Sequence, residues 1–332
     1  MIRLPAFELT TAASVREAVN LLTSEHRATV LAGGTDLIAR MKEGTAAPKH
    51  VVSLEKLPEL REITPMPNGG LRVGAMATLG SIASSPLVAE RVPSLVYAAK
   101  SVASPAIRNR ATLGGNLCLD TRCSYFDQSE FWRMSLGGCL KGEVGGCGSP
   151  VCHAAPGWKK CSAAFSSDTA PLLIALDAQF TFASSEGQRT LPLRELYRDD
   201  GVHHLTLEPG ALILEILIPP HAEGFRAAHR KIAPRAAIDF PLANAGVAVT
   251  LDAQGVCRAA KIVIGAIHSA PVEIAEAESI LIGHRLAPAC IEQAASAASS
   301  AVTPMPNIGE SVAYRKAMVK VLVQRALQEL SA

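Results

Sequence analysis

The pattern of apolar and polar positions predicts alternating helix and strand at the start of the chain. Residues 14–25 open with a capping box, Ser14 with Glu17, and place their apolar residues on one face, which predicts an amphipathic helix. A β-prone run at 28–31 follows and breaks at a pair of glycines, after which a helical pattern resumes as far as Lys42. This order is typical of an α/β unit.

Turn signals organise the middle of the chain. Asn68-Gly69-Gly70 separates the apolar segments 60–64 and 71–76 and therefore predicts a hairpin. Residues 87–103 have a helical pattern, and residues 211–218 predict a strand that is ended by two prolines.

The last third of the chain has a different pattern. Two β-prone runs, 242–251 and 256–264, are joined by a short turn, and helical stretches follow near 271–282, 287–302 and 310–331. Strands followed by helices predict an α+β C-terminal domain.

Length, charge and cysteine content narrow the function. The 332 residues predict two or three packed units, and 48% hydrophobic with 19% charged residues indicate a globular protein. A net charge of +2 gives no footprint for nucleic acid. The chain has neither a secretory signal pattern nor an apolar run of the roughly 20 residues that a membrane span requires, so we expect a cytoplasmic protein. In that compartment, eight cysteines favour metal binding over disulfides.

Two glycine motifs suggest a place for an elongated, phosphate-containing cofactor. The first, Ala32-Gly33-Gly34-Thr35-Asp36-Leu37, follows a strand and opens a helix, where backbone N–H groups can bind phosphate. Simple turn chemistry explains it equally well, since the Rossmann glycine spacing is absent. The second motif contains Thr112-Leu113-Gly114-Gly115-Asn116, so two Gly-Gly turns could hold one cofactor from opposite sides.

These motifs resemble those of the FAD-binding medium subunits of the xanthine dehydrogenase and carbon monoxide dehydrogenase group of molybdenum hydroxylases. The resemblance covers nearly the whole chain. Besides both glycine motifs, it rests on Val73-Gly74-Ala75, Ile107-Arg108-Asn109, Ser167-Asp168-Thr169-Ala170-Pro171, Ile213 to Pro219 and Tyr314-Arg315.

The resemblance implies an α+β fold in which a two-part FAD-binding domain of the PCMH type (VAO-like) carries an inserted iron–sulfur loop and precedes a smaller α+β C-terminal domain with an antiparallel sheet and helices. We expect the first FAD-binding subdomain at 1–57 and the second at 58–220, with a cysteine-rich insertion at about 119–165. The C-terminal domain would then span 221–332.

The resemblance also implies the residues that bind FAD. Segments 29–36 and 112–116 would surround the pyrophosphate and ribityl chain, and Asp168 would hold a ribose hydroxyl. Lys231 would lie near the flavin ring, where a cation favours electron-rich flavin, and Ile213 would pack close to that ring. The full set is Thr29, Val30, Leu31, Ala32, Gly33, Gly34, Thr35, Asp36, Ala75, Thr112, Gly114, Gly115, Asn116, Asp168, Ile213 and Lys231.

Between the second glycine motif and Asp168 lies a stretch rich in cysteine: Cys123, Cys139, Cys147, Cys152 and Cys161. Four thiolates suit either an iron–sulfur cluster or a structural zinc ion, and from the residues alone these two readings are level. A metal-free group of buried thiols stands a little behind them. Cys118, Cys257 and Cys290 lie in or beside apolar segments, and we expect them to be small core residues.

This insertion resembles the 4-hydroxybenzoyl-CoA reductase branch of the family, whose β subunit has an additional 4Fe-4S cluster. The resemblance implies that Cys123, Cys139, Cys152 and Cys161 are the ligands, with Cys147 as the alternative third ligand.

For function, the resemblance implies an oxidoreductase subunit that has no catalytic residue for the organic substrate. Electrons would pass from ferredoxin through the 4Fe-4S cluster and FAD to a small subunit with 2Fe-2S clusters and a large subunit with the molybdenum cofactor, in a dimer of heterotrimers. The reaction would be a reductive dehydroxylation in aromatic degradation. Two alternatives stay open: a medium FAD subunit of an oxidative hydroxylase, or a non-catalytic scaffold subunit with structural zinc.

Overall fold

The N-terminal segment forms a small parallel sheet in a computed structural model, which describes residues 3–24, 28–143 and 148–332. Its strands lie in the order β1-β3-β2, and helix α1 packs its apolar face into the core below them, as its capping box and periodicity predict. The elements are β1 (Glu8–Thr11), α1 (Val15–Ser24), β2 (Ala28–Leu31), α2 (Leu37–Glu43) and β3 (His50–Ser53).

An antiparallel sheet forms the second layer, in the order β4-β5-β8-β6-β7. The predicted hairpin is confirmed: β4 pairs with β5 across a turn in which Gly69 has a φ of +91°. The strands are β4 (Ile63–Pro65), β5 (Leu71–Gly74), β6 (Gln179–Ser184), β7 (Gly187–Pro192) and β8 (Leu212–Ile218).

Short helices cover this sheet. The helix predicted over 87–103 is wrong in one respect: it is two helices, because Pro93 lacks an N–H donor and starts a new helix after Val92. The helices of this part of the chain are α3 (Leu79–Ser84), α4 (Pro86–Arg91), α5 (Pro93–Ser101), α6 (Pro105–Arg108), α7 (Leu113–Leu117), α8 (Glu130–Ser135) and α9 (Ala170–Ala175), of which α8 belongs to the cysteine-rich insertion.

The cysteine-rich insertion has little regular structure besides α8 and a 3-10 turn at Leu140–Glu143. It returns to its starting point, since Arg122 and Ala164 pair as an isolated antiparallel bridge. Its own small core contains Phe126 and the cysteines, separate from the cores of the three sheets.

The C-terminal part is an antiparallel sheet in the order β12-β11-β10-β9, against which the last helices pack. The two predicted β runs are confirmed as β10 and β11, which pair with each other, and the three predicted helical stretches each contain a helix. The elements are β9 (Phe225–Ile232), β10 (Ala243–Leu251), β11 (Cys257–Gly265), β12 (Val272–Glu273), α10 (Ala275–Leu281), α11 (Pro288–Ala301) and α12 (Val312–Ser331).

The predicted α+β class, with strands and helices segregated in the C-terminal part, is therefore confirmed. The domain boundaries at 57 and 220 stay a prediction. Within the part of the chain that the structure describes, each helix is too short or too polar to cross a bilayer.

Candidate functional site

A cavity of about 580 Å³ opens where both glycine motifs meet the second sheet. Its volume lies in the usual range for a cofactor or substrate site. The predicted residues that line it are Thr29, Val30, Ala32, Gly33, Gly34, Thr35, Asp36, Ala75, Thr112, Gly114, Gly115, Asn116, Asp168 and Ile213. The tertiary structure therefore brings together residues that are up to 184 positions apart in the chain, from Thr29 to Ile213.

The first glycine motif lies directly against the second. A Cβ atom at Gly33 would lie 1.8 Å from the carbonyl oxygen of Arg110, which no side chain tolerates. Gly34 has a φ of +74°, in the left-handed region that favours glycine. Both glycines are thus required by the backbone itself, and this close approach forms one wall of the cavity.

The second motif is fixed by a helix cap. The Thr112 hydroxyl accepts a hydrogen bond from the Gly115 N–H at 3.1 Å, and a Cβ at Gly114 would lie 2.9 Å from that of Ala75. Asn116 is more than a turn residue, because its Oδ1 accepts hydrogen bonds from the hydroxyls of Ser167 at 2.8 Å and Thr169 at 2.7 Å. It therefore holds the segment on both sides of Asp168.

Asp168, which the sequence predicts to hold a ribose hydroxyl, is a buried carboxylate on the cavity wall. It is 3% exposed, and its Oδ2 accepts a hydrogen bond from Lys231 Nζ at 3.0 Å. Its Oδ1 is buried and has no partner in the described structure. Burial raises the pKa of this carboxyl to about 6, against the opposing charge of Lys231. An unpaired acceptor on a cavity wall suits a ribose hydroxyl, so the residues present fit the adenine-nucleotide part of FAD.

Leu31 and Lys231 do not line the cavity, although the sequence predicts both as FAD-binding residues. Leu31 packs beneath the glycine turn, with its Cδ1 3.1 Å from where a Gly34 Cβ would be. The Lys231 ammonium donates to Asp168 and to the carbonyl oxygens of Ser101 and Asp239, each at 2.9 Å. Their contacts with FAD therefore stay a prediction, and the described contact of Lys231 is with Asp168.

Charged residues that sequence reasoning missed also line the cavity. Arg122 forms an ion pair with Asp36, and its guanidinium lies 4.5 Å from the ring centroid of Phe240. Arg40 pairs with Asp120 at 2.5 Å. Their positions in the sequence could have indicated them: Arg40 follows Asp36 by one helical turn, and Asp120 and Arg122 lie three residues and one residue before Cys123.

The insertion brings the predicted cysteines into one cluster. Cys123, Cys152 and Cys161 are buried around Phe126, and the partly buried Cys139 packs against them. Burial raises the pKa of the Cys123 thiol to about 12 and that of Cys161 to about 11. Cys147 lies outside the described residues.

The four described thiols share one apolar cluster, and both an iron–sulfur cluster and a structural zinc ion use cysteine thiolates as ligands. The described part of the chain has no group of three His, Cys, Asp or Glu side chains close enough together to hold one metal ion.

The other cysteines behave partly as predicted. Cys257 is buried in the C-terminal core, and Cys290 packs at its edge. Cys118 packs on the core of the second sheet but also lines the cavity, because it follows α7 directly.

Comparison with known proteins agrees with this site. The family model described as FAD binding domain in molybdopterin dehydrogenase matches residues 5–221, and CO dehydrogenase flavoprotein C-terminal domain matches 228–330. The carbon monoxide dehydrogenase medium chain of Hydrogenophaga pseudoflava is 30% identical over 326 residues, which are 97% of this chain and 96% of that one.

Two further likenesses extend over the same length. Subunit alpha of the 6-hydroxypseudooxynicotine dehydrogenase complex of Paenarthrobacter nicotinovorans is 29% identical over 97% of this chain and 94% of its own. The solved carbon monoxide dehydrogenase of Hydrogenophaga pseudoflava that lacks the Mo-pyranopterin moiety superposes with a TM-score of 0.79 at 27% identity, over 98% of this chain and 97% of that one. The chain therefore belongs to the FAD-binding medium subunits of the xanthine dehydrogenase and carbon monoxide dehydrogenase family of molybdenum hydroxylases, as a subunit of an oxidoreductase.

Proposed function

We propose that this chain is an electron-transfer subunit of a molybdenum enzyme similar to 4-hydroxybenzoyl-CoA reductase, with a 4Fe-4S cluster in its insertion as the entry point for electrons from a ferredoxin. One observation carries the proposal: the segment 118–123 belongs to both sites. Cys118, Asp120 and Arg122 line the cavity, and Cys123 lies among the clustered thiols. The two sites are therefore one residue apart along the backbone.

The chain would hold FAD with the residues that line the cavity. The opposed glycine motifs would bind the pyrophosphate through their backbone N–H groups, since both motifs line the cavity. The unpaired Asp168 Oδ1 would accept a hydrogen bond from a ribose hydroxyl. When bound, flavin exchanges one or two electrons and so couples a one-electron centre to a two-electron one. The contacts of Leu31, Ile213 and Lys231 with the flavin are part of this proposal.

The insertion would hold the cluster with Cys123, Cys139, Cys152 and Cys161, whose burial around Phe126 favours a low-dielectric site. Cys147 stays the alternative third ligand. In this role the cysteine thiolates would coordinate the iron atoms, and the apolar residues around them would exclude water.

The partners follow from the same proposal. A large subunit with the molybdenum cofactor and a small subunit with 2Fe-2S clusters would bind this chain in a dimer of heterotrimers in the cytoplasm. The substrate would react on the large subunit, by reductive removal of an aromatic hydroxyl group.

An oxidative hydroxylase is the second candidate, and it fits the comparisons about equally well. The relatives that match along the whole chain are named as dehydrogenase subunits, carbon monoxide dehydrogenase among them. In that case electrons would leave through the insertion to a different acceptor. Turnover distinguishes the two: a complex that consumes reduced ferredoxin and dehydroxylates the thioester supports the reductase, whereas a complex that only reduces an added acceptor supports the hydroxylase.

Metal and flavin content test the proposed cofactors. After anaerobic purification, we expect about four iron, four sulfide and one FAD per chain. Cys161→Ser should lose iron and sulfide and keep FAD, whereas Cys290→Ser, in α11 and the C-terminal core, should keep all three. Zinc without sulfide in the unaltered protein would instead indicate a structural metal site in the insertion. The chain would then be an FAD-binding medium subunit without a cluster of its own.

A further inference from the structure

Lys141 is buried between the cavity and the clustered thiols. It is the second residue of the 3-10 turn Leu140–Glu143, and its side chain is 2% exposed, which is rare for lysine. Its Nζ donates to Asp120 Oδ1 at 2.7 Å, to the carbonyl oxygens of Thr121 and Gly201 at 3.0 Å each, and to the Thr121 hydroxyl. The ammonium group is thus fully bonded and has a fixed position.

Asp120 forms ion pairs with two cations, Lys141 and Arg40, so these three side chains together carry more positive than negative charge. Its Oδ1 pairs with Lys141 and its Oδ2 with Arg40, at 2.5 Å. Burial lowers the pKa of the nearby His204 to about 4, so this imidazole is neutral at physiological pH. The adjacent Arg122 is paired with Asp36. Lys141, Arg40 and Asp120 therefore form a triad with a net charge of +1, and the carboxylate of Asp127, which accepts a hydrogen bond from the Cys123 N–H at 3.1 Å, lies near it.

The triad contacts both redox sites. Arg40 and Asp120 line the cavity. On the other side, the Gly201 carbonyl that accepts from Lys141 belongs to a residue whose N–H donates to the Cys161 carbonyl at 2.8 Å. A Cβ at Gly201 would lie 2.7 Å from Cys161 Sγ. One backbone residue therefore separates the Lys141 ammonium from a thiol of the cluster.

We infer that Lys141 is a positioning residue that raises the reduction potential of the cluster in the insertion, by fixing its own positive charge between that cluster and the FAD cavity. The inference rests on the proposed function. Reduction adds one electron from a low-potential one-electron donor and breaks no bond, so the cluster becomes more negative by one charge. A fixed nearby cation stabilises the reduced form more than the oxidised form.

Opposite substitutions in the triad test the sign of this effect. Lys141→Met removes one positive charge and should shift the midpoint potential of the cluster to a more negative value. Asp120→Asn keeps an acceptor oxygen, leaves both cations and should shift the potential to a more positive value. Lys320→Met removes a half-exposed cation paired with Glu292 on the C-terminal helices and should leave the potential unchanged. The measurement is a redox titration of the full chain, followed by electron paramagnetic resonance.

The outcomes separate this inference from the proposed function. Unaltered protein without iron and sulfide overturns both. If the unaltered protein has a cluster, two results overturn only the role of Lys141. Either Lys141→Met and Asp120→Asn both keep the midpoint potential of the unaltered protein, or both shift it in the same direction. If Lys141→Met loses its cluster, Asp120→Asn and the charge-conserving Lys141→Arg decide: a positive shift in the first and no shift in the second support the inference, and any other pair of results contradicts it.

Discussion

The charge of Asp168 should control FAD affinity. Asp168→Asn keeps the size of the side chain and removes the charge from an oxygen that is buried without a partner. A hydrogen bond to a charged group contributes about 1.5–3 kcal/mol, so the Kd for FAD should rise about 10- to 100-fold. The amide also weakens the contact with Lys231, whose Nζ lies 3.0 Å from Oδ2. We therefore expect the increase in Kd to lie near the upper end of that range.

The assay is fluorescence titration of flavin-free chain with FAD at several pH values around 6. Because burial raises the pKa of Asp168 to about 6, the unaltered protein should lose affinity as the pH falls through that value and the carboxylate is protonated. The variant has no such group, so its affinity should stay flat over the same range.

A matched control makes the same Asp-to-Asn substitution at a carboxylate outside the cavity. Asp177→Asn alters a carboxylate that is 63% exposed and pairs with Lys261, so its Kd for FAD should stay within about twofold of the unaltered value. The reasoning would be refuted if Asp168→Asn, with an unchanged circular dichroism spectrum, also bound FAD within about twofold of the unaltered protein.

Three further predictions follow from the same contacts. Gly33→Ala should lose FAD and about 1–3 kcal/mol of unfolding free energy, because its Cβ would lie 1.8 Å from the Arg110 carbonyl oxygen; flavin content and urea denaturation measure both, and full FAD occupancy would contradict it. Asn307→Ala should lower iron per chain while FAD stays bound, because the Asn307 side chain donates to the carbonyl oxygen of Ser162, which is adjacent to Cys161; metal analysis checks this, and unchanged iron would count against it. Without FAD, Asp168 should make the unfolding free energy fall by about 3 kcal/mol as the pH rises from below 3.8 through about 6, because a raised pKa in the folded state stabilises only the protonated form; denaturation of Asp168→Asn across this range should lack that slope.

Local signals in the sequence were sufficient for several elements. The capping box predicts α1, the turn at Asn68 to Gly70 predicts the β4-β5 hairpin, and the apolar runs predict β10 and β11. These features depend on residues within a few positions of one another, whose propensities act wherever the segment is placed. The glycine motifs and the cysteine insertion were recognised for the same reason, as short patterns with a resemblance to a family.

Strand β9 shows where local patterns fail. It carries Arg226, His229, Arg230 and Lys231 among its eight residues and has no apolar alternation. It is a strand because it pairs with β10 along its whole length, and the paired residues are 11 to 25 positions apart, beyond the reach of a pattern within the strand itself. The division of the predicted helix at Pro93 is a different case, since the signal was local and the helical periodicity on both sides concealed it.

What the sequence by itself determined is the family pattern, the fold class and a group of fourteen residues on the cavity wall. Only the tertiary structure decided that Lys231 contacts Asp168 from behind this wall, that one oxygen of Asp168 is left without a partner, and that Lys141 joins Arg40 across Asp120. The physical reason is that burial and charge pairing arise between residues about 60 to 80 positions apart, such as Lys231 with Asp168 and Arg40 with Asp120. A propensity read from neighbouring residues contains no information about such contacts.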